Sequence, residues 1–375
     1  AVAGLFYKGK TPPESPVKRR MAILIPAYKE DQVIVNVACH ALQQNYPADR
    51  FEVVVIADSL KPATLAKLRE LPIILVEVSF DTSTKVKALN SALSVIGDNY
   101  DAAVVLDADN IMEENFLSKM NDLYSIGYKA IQGKRAPKNE NTSMAILDGL
   151  SETINNFIYR QGTVAIGMSA SLNGSGMFFE YGVYKRILAG MDSIGGFDRE
   201  LELKLLEQGI KVYFAKDAVV YDEKVVSTEI FERQRKRWMS RQFFYLKKYF
   251  VSGTASLFKG NFSFFNSAIL RNIQLPRLVN LGLLVCVTLL SIVLWRYVSF
   301  SPWLWAALLV INVMAILFAI PSRLYSMKLL RSVTLIPSIF VKMFLLLFRL
   351  KGANKTFIHT PHGHVETQPS NREKL

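Results

Sequence analysis

Four short, near-continuous apolar runs constrain this chain more than any other feature. They are MAILIPA (21–27), FEVVVIAD (51–58), PIILVEVS (72–79) and AAVVLDAD (102–109). Runs of this length and character are strands buried on both faces. Helix-like stretches such as 31–44 and 85–95 separate them. Repeated βαβ units predict an α/β, Rossmann-like domain with a parallel sheet, and ligands gather at the carboxyl ends of such strands. Half of the 375 residues are hydrophobic, enough to bury a large core, which excludes a disordered chain. Two cysteines exclude a disulfide scaffold. The 45 Lys and Arg against 32 Asp and Glu give a net charge of +13, which points to anionic partners.

Hydrophobicity is unevenly distributed. Residues 1–20 read as a linker, and their apolar start is expected to be the end of a membrane helix that precedes this chain. Residues 21–223 read as the soluble α/β domain, 224–277 as a basic, aromatic region of interfacial amphipathic helices, and 278–350 as membrane. Between Arg277 and Arg296 lie 18 uncharged residues, and between Arg296 and Arg323 another 26. About 20 apolar residues cross a bilayer, so transmembrane spans are expected near 278–296 and 302–320. Trp295, Tyr297, Trp303 and Trp305 at their shared end suit an aromatic belt. Pro337 and Lys342 interrupt a third stretch, 333–350, which either spans or lies in the interface. Basic residues on the outer flanks of the hairpin place the soluble domain on the cytoplasmic side of a multi-pass inner membrane protein. Basic residues alternate with aromatics over 233–277, a pattern also used to bind single-stranded nucleic acid. Here the stretch runs directly into an apolar segment, so the expectation is lipid bilayer and no nucleic acid.

Three predicted strands end in chemistry-bearing residues. The first ends in Pro26-Ala27-Tyr28-Lys29-Glu30-Asp31, the second in Asp58-Ser59, the fourth in Asp107-Ala108-Asp109. Acidic groups at a ligand edge repel phosphate unless a cation bridges them, and hard oxygen ligands suit Mg2+ or Mn2+. In an extended segment the carboxylates at 107 and 109 project to one side.

Those residues, with Lys85 in TKVKALNSAL and Gln234-Arg235-Lys236-Arg237-Trp238, resemble the family 2 glycosyltransferases. The Q-x-x-R-W element followed by apolar helices is similar to the membrane-embedded processive synthases of the cellulose, chitin and hyaluronan type. The resemblance implies a nucleotide-sugar-binding (GT-A) domain over roughly 21–249. It implies that Ala27, Tyr28, Glu30 and Asp58 line the nucleoside, and that Lys85 reaches the diphosphate, with Lys87 departing from the small residue usual there. Asp107 and Asp109 would hold Mg2+ or Mn2+, Asp107 also meeting ribose. Asn173, Gly174 and Gly176 would let an acceptor sugar approach, and Gln234, Arg237 and Trp238 would bind it. Aligned on Gly209, Asp198 falls on the family's catalytic base. It equally suits the N-cap of the helix that follows, and Glu200 and Glu202 stand nearby. KTFIHTPHG (355–363) is similar to a gating element in which Thr360 would fold over bound nucleotide; a plain polar tail is the competing reading.

The implied activity is inverting transfer from a nucleotide sugar, UDP favoured, onto a growing polysaccharide. Transfer of a single sugar to a polyprenyl phosphate or other lipid is the rival. A non-catalytic nucleotide-sensing subunit is the reading from another class. A homo-oligomer or a missing membrane partner would supply further helices for a translocation path.

Overall fold

The computed structural model describes residues 1–192, 195–297 and 301–350; Thr360 and the rest of the 355–363 element lie outside them. The described chain divides into two compact units. One comprises Tyr7–Asn139 and Tyr159–Lys224, the other Ala1–Phe6, Glu140–Ile158 and 225–350.

The first unit is built on an eight-stranded sheet. Its strands are β1 (Met21–Tyr28), β2 (Phe51–Asp58), β3 (Ile74–Val78), β4 (Ala102–Val105), β5 (Ile111–Met112), β6 (Ala130–Pro137), β7 (Met177–Glu180) and β8 (Tyr213–Asp222). Their order is β3-β2-β1-β4-β7-β6-β8-β5. The four strands expected from the sequence form a parallel block, β3-β2-β1-β4. The other half corrects the expectation of a parallel sheet. β7 runs antiparallel to both β4 and β6, and β5 antiparallel to β8. A strand of four residues, MFFE, carries too little pattern to show its direction.

Alternation along β1 sorts the core into two layers. Met21, Ile23, Ile25 and Ala27 pack with α1 (Ile34–Ala41) and α4 (Phe116–Ser125). Ala22 and Leu24 pack with α3 (Lys85–Ile96), α6 (Tyr181–Ala189) and α7 (Phe197–Glu207). The helix between β2 and β3, α2 (Pro62–Arg69), adds Leu68 to the first layer. Both faces are covered, which is why these strands are apolar throughout.

The second unit is helical. Its elements are α5 (Ser143–Asn155), α8 (Thr228–Lys248), α9 (Phe250–Phe258), α10 (Arg277–Val293), α11 (Pro302–Phe318), α12 (Met327–Val333) and α13 (Ile336–Leu347). Met144, Phe231, Val279, Ile339 and Met343 form its core. Gly282 lets α10 meet the Phe340 ring closely; a Cβ there would lie 2.2 Å from it.

Expected transmembrane helices near 278–296 and 302–320 are not supported. Among the described residues no single helix is long and apolar enough to cross a membrane. α10 and α11 have 17 residues each, about 26 Å of helix against about 30 Å of hydrocarbon. Pro276 caps the start of α10 and Pro302 opens α11, while the end of the first expected span falls in a turn over 294–297. Two bent pairs pass by length and composition: 262–273 with α10, at 59°, and α12 with α13, at 44°. The second overlaps the ambiguous stretch 333–350 and breaks at Thr334–Leu335, just before Pro337 in the first turn of α13.

Candidate active site

β4 ends at Val105, and the chain turns through Asp107-Ala108-Asp109 at the carboxyl edge of the parallel block. Because β7 is antiparallel to β4, with Val105 opposite Met177, the residues before β7 lie beside those after β4. Topology alone therefore sets Asn173-Gly174-Ser175-Gly176 against the two aspartates.

The contact is specific. Ser175, fully buried, accepts a hydrogen bond from Asp107 N (2.9 Å) and lies 2.6 Å from the Asn110 amide. Gly174 holds a left-handed backbone, φ +94°, and a Cβ there would stand 3.9 Å from Asp107 Oδ2 and 4.0 Å from Asp198 Oδ2. The two carboxylates thus flank one glycine. A side chain at 174 would be strained and would fill the gap between them.

Lys85 is the first residue of α3, whose N-cap Thr84 accepts from Lys87 N. Its ammonium pairs with Asp107 Oδ1, donates to Gly174 O (2.8 Å), and lies 4.6 Å from the Phe197 ring centroid. Lys87 instead donates to Thr82 O (3.1 Å). Lys85 is therefore the lysine at the aspartates. Asp198 is the second residue of α7, and the N-cap is Gly196, at φ +70°. The N-cap alternative for Asp198 is thereby corrected: its half-exposed carboxylate sits in the first turn, where the helix dipole favours negative charge. Glu202 is committed elsewhere, accepting from Leu172 N (3.0 Å) and Arg199 (2.9 Å), and Glu200 is buried.

Ala27, Tyr28, Glu30 and Asp58 share the carboxyl edge of β1 and β2, with Tyr28 opposite Asp58 in register. Lys29 N donates to Asp58 O (3.1 Å), and Lys29 and Ser59 both hold positive φ. Asp109 is buried. Lys138 donates to its carbonyl, and burial lowers the Lys138 pKa against the opposing pull of Asp109, Glu223 and Asp222.

Asp107 and Asp109 offer two hard carboxylates, a donor set that suits Mg2+ or Mn2+ when phosphate or water completes the shell. Among the described residues no group of three or more His, Cys, Asp or Glu converges on one point.

Gln234, Arg237 and Trp238 stand on α8, in the helical unit. Trp238 is exposed on one side and stacked on the other: Arg235 lies 4.3 Å from its ring and 4.6 Å from that of Phe231. Arg235 in turn bonds Asp148 of α5 (2.7 Å). Burial, then Arg241 and Arg233, pull the Arg237 pKa down to about 10.

Residues 18–240 match the family described as glycosyltransferase like family 2. The chain belongs to that family. The probable glycosyltransferase YdaM of Bacillus subtilis (strain 168) is 23% identical over 300 residues, covering 74% of this chain and 70% of that protein. The fold is similar to that of the mannosyltransferase PcManGT from Pyrobaculum calidifontis, solved in complex with GDP-Man and Mn2+. That likeness has a TM-score of 0.55 at 16% identity over 93% of each chain, and it concerns the fold.

Several residues of this glycosyltransferase were missed in its sequence. Gln132 is fully buried, accepts from Asn173 N (3.0 Å) and donates to Ser175 O (2.9 Å). Arg135 donates to Asn173 O (2.8 Å) and Arg160 to Ser171 O (3.1 Å). With Lys85 on Gly174 O, three cations hold carbonyls of one short loop. The available signal was a glutamine inside the apolar run AIQG, a polar group that burial requires to be satisfied.

Proposed function

We propose that this glycosyltransferase moves a sugar from a nucleotide-sugar donor onto the hydroxyl of a growing glycan, with inversion, at a membrane surface. The observation that carries the reading is the pair of carboxylates, Asp107 and Asp198, flanking Gly174 with Lys85 between the donor edge and the loop. Ala27, Tyr28, Glu30 and Asp58 receive the nucleoside. Asp107 and Asp109 would hold a divalent cation, which would supply positive charge against the leaving diphosphate. Asp198 takes the proton from the acceptor hydroxyl as general base. Asn173, Gly174 and Gly176 give the acceptor room, and Trp238, its face set by Arg235, offers an apolar surface with one N–H to a sugar. Gln234 and Arg237, on the same helix as Trp238, are assigned to sugar binding.

The Pyrobaculum calidifontis mannosyltransferase of similar fold, in complex with GDP-Man and Mn2+, supports a nucleotide-sugar donor and a divalent cation. Exposed Leu289, Leu290, Val293, Trp295, Trp303 and Ile311 on and around α10 and α11 support a membrane location, and the basic residues flanking that apolar stretch support the cytoplasmic side. The exposed apolar side chains also favour the second reading, transfer of one sugar to a lipid-linked acceptor.

The test offers purified protein in lipid a panel of labelled UDP-, GDP- and dTDP-sugars with Mn2+ or Mg2+, following nucleotide release and product size. Asp198→Asn is expected to lose at least ~100-fold in turnover while nucleotide binding stays within twofold, and EDTA to abolish turnover. A high-mass product supports polymerisation; label confined to a small organic-soluble product supports the lipid acceptor. No release from any donor, with nucleotide binding intact, would sink the transferase reading.

A further inference from the structure

An ammonium group has three N–H donors. The Lys85 ammonium has three partners within the protein: it bonds the Asp107 carboxylate and the Gly174 carbonyl (2.8 Å) and lies over the ring of Phe197, 4.6 Å from the centroid. The three partners come from three functions. Asp107 stands on the donor edge after β4, Gly174 in the acceptor loop before β7, and Phe197 opens α7, the helix that carries Asp198. The other cations of the loop are differently placed. Arg135 is tied to buried Asp222, and Arg160 is itself buried. Lys85 alone among these three bonds a residue assigned to the cation.

We propose that Lys85 is a positioning residue that couples the two halves of the site: ligands taken up at Asp107 loosen the hold of its ammonium on the acceptor loop at Gly174. The inference rests on the transferase reading above. A divalent cation and the Lys85 ammonium seek the same Asp107 carboxylate, and a diphosphate seeks the ammonium itself. Because the ammonium already has three partners, a bond to diphosphate replaces one of them. Of its two oxygen partners the neutral carbonyl holds the ammonium less strongly than the carboxylate, since a bond between two charged groups is the stronger, and it belongs to the acceptor loop while the diphosphate draws the ammonium toward the donor edge. Gly174 is therefore the partner released. Its positive φ, +94°, then has one fewer restraint, and the 173–176 loop gains freedom just when the donor is in place. The coupling predicts donor-first order of binding.

The experiment is hydrogen exchange on the full-length protein, read in peptides covering 172–177, with and without Mn2+ plus UDP or GDP. Nucleotide affinity is measured in parallel by calorimetry. In the wild type, Mn2+ and nucleotide together are expected to speed exchange of this loop about tenfold. Lys85→Met is expected to exchange fast from the start and not respond, while still binding nucleotide, about tenfold more weakly. Lys85→Arg keeps the charge, yet its flat guanidinium cannot serve two oxygens and a ring face from one point. It is expected to bind nucleotide near wild-type strength and to lose the response. A wild-type loop that ignores the ligands while nucleotide binds overturns the coupling alone, as does a Lys85→Met loop that responds like the wild type. Failure of the wild type to bind any nucleoside diphosphate overturns the transferase reading and the coupling together.

Discussion

Single side chains in this protein show how far chemistry can be read before geometry is known. Asp107, Asp109 and Lys85 stand out in the sequence because acids and a lysine at strand and helix ends have few structural duties. Gly174 stands out less, since a glycine in a loop is common; its meaning comes from the two carboxylates on either side. Gly174→Ala is expected to cost ~1–3 kcal/mol of strain and to cut turnover far more than nucleotide affinity, which steady-state kinetics beside calorimetry will separate. Tyr184 shows the opposite case. Its ring is fully buried and stacked on Phe179 at 5.0 Å, and its hydroxyl has no hydrogen-bond partner among the described residues. Tyr184→Phe is expected to leave activity unchanged and raise stability by ~1 kcal/mol, seen as a higher urea midpoint. Burial also raises its pKa above the ordinary tyrosine value, as it does for Tyr46, Tyr100 and, to about 12, Tyr181. Above pH 10 the unfolded chain loses these protons and the folded one keeps them. Stability is therefore full below pH 10 and falls as pH rises, by about 1.4 kcal/mol per pH unit for each such group. The Tyr184→Phe curve should fall by one group less.

At the level of elements, the parallel block was legible because central strands are apolar on both faces and bounded by helical periodicity. The mixed half, where β7 and β5 run antiparallel to their neighbours but β6 pairs parallel with β8, was not. β7 is four residues long, and its direction is fixed by pairing with β4 and β6, a non-local fact. That strand is also what carries the loop to the aspartates, so the site's acceptor side was recognisable by its small residues but not by its position. The half-buried Arg235 illustrates the same limit. In the sequence it is one basic residue among five near the Q-x-x-R-W element; in the fold it is the residue that braces Trp238 and pairs with Asp148. Arg235→Met leaves Asp148 without that cation and is expected to cost ~3–5 kcal/mol. Hydrogen exchange should show α5 and α8 opening together while the strands keep their protection.

On the scale of the whole molecule, hydropathy misjudged helix length. Hydropathy counts residues and does not register where prolines start a helix or a turn ends it. The net charge of +13 and the exposed side chains of α10 and α11 lead to a clear expectation. Purified protein should float with anionic phosphatidylglycerol vesicles, more weakly at high salt, since the electrostatic part is screened. Protein that stays in the aqueous fraction at low salt would remove the membrane from the reading. The composition of the helical unit has one more consequence, and it concerns time. Its helix α5 is encoded in the middle of the sheet unit, yet its partners Phe231, Arg235 and Val279 come later in the chain. During synthesis the strands through β8 are complete while α5 waits, with Met144 and Asp148 uncovered, for a stretch that takes on the order of ten seconds to emerge. A chain stopped after residue 224 would keep every strand and strand that helix permanently, so shortening this protein to its sheet should yield a species that sticks to chaperones rather than a smaller enzyme.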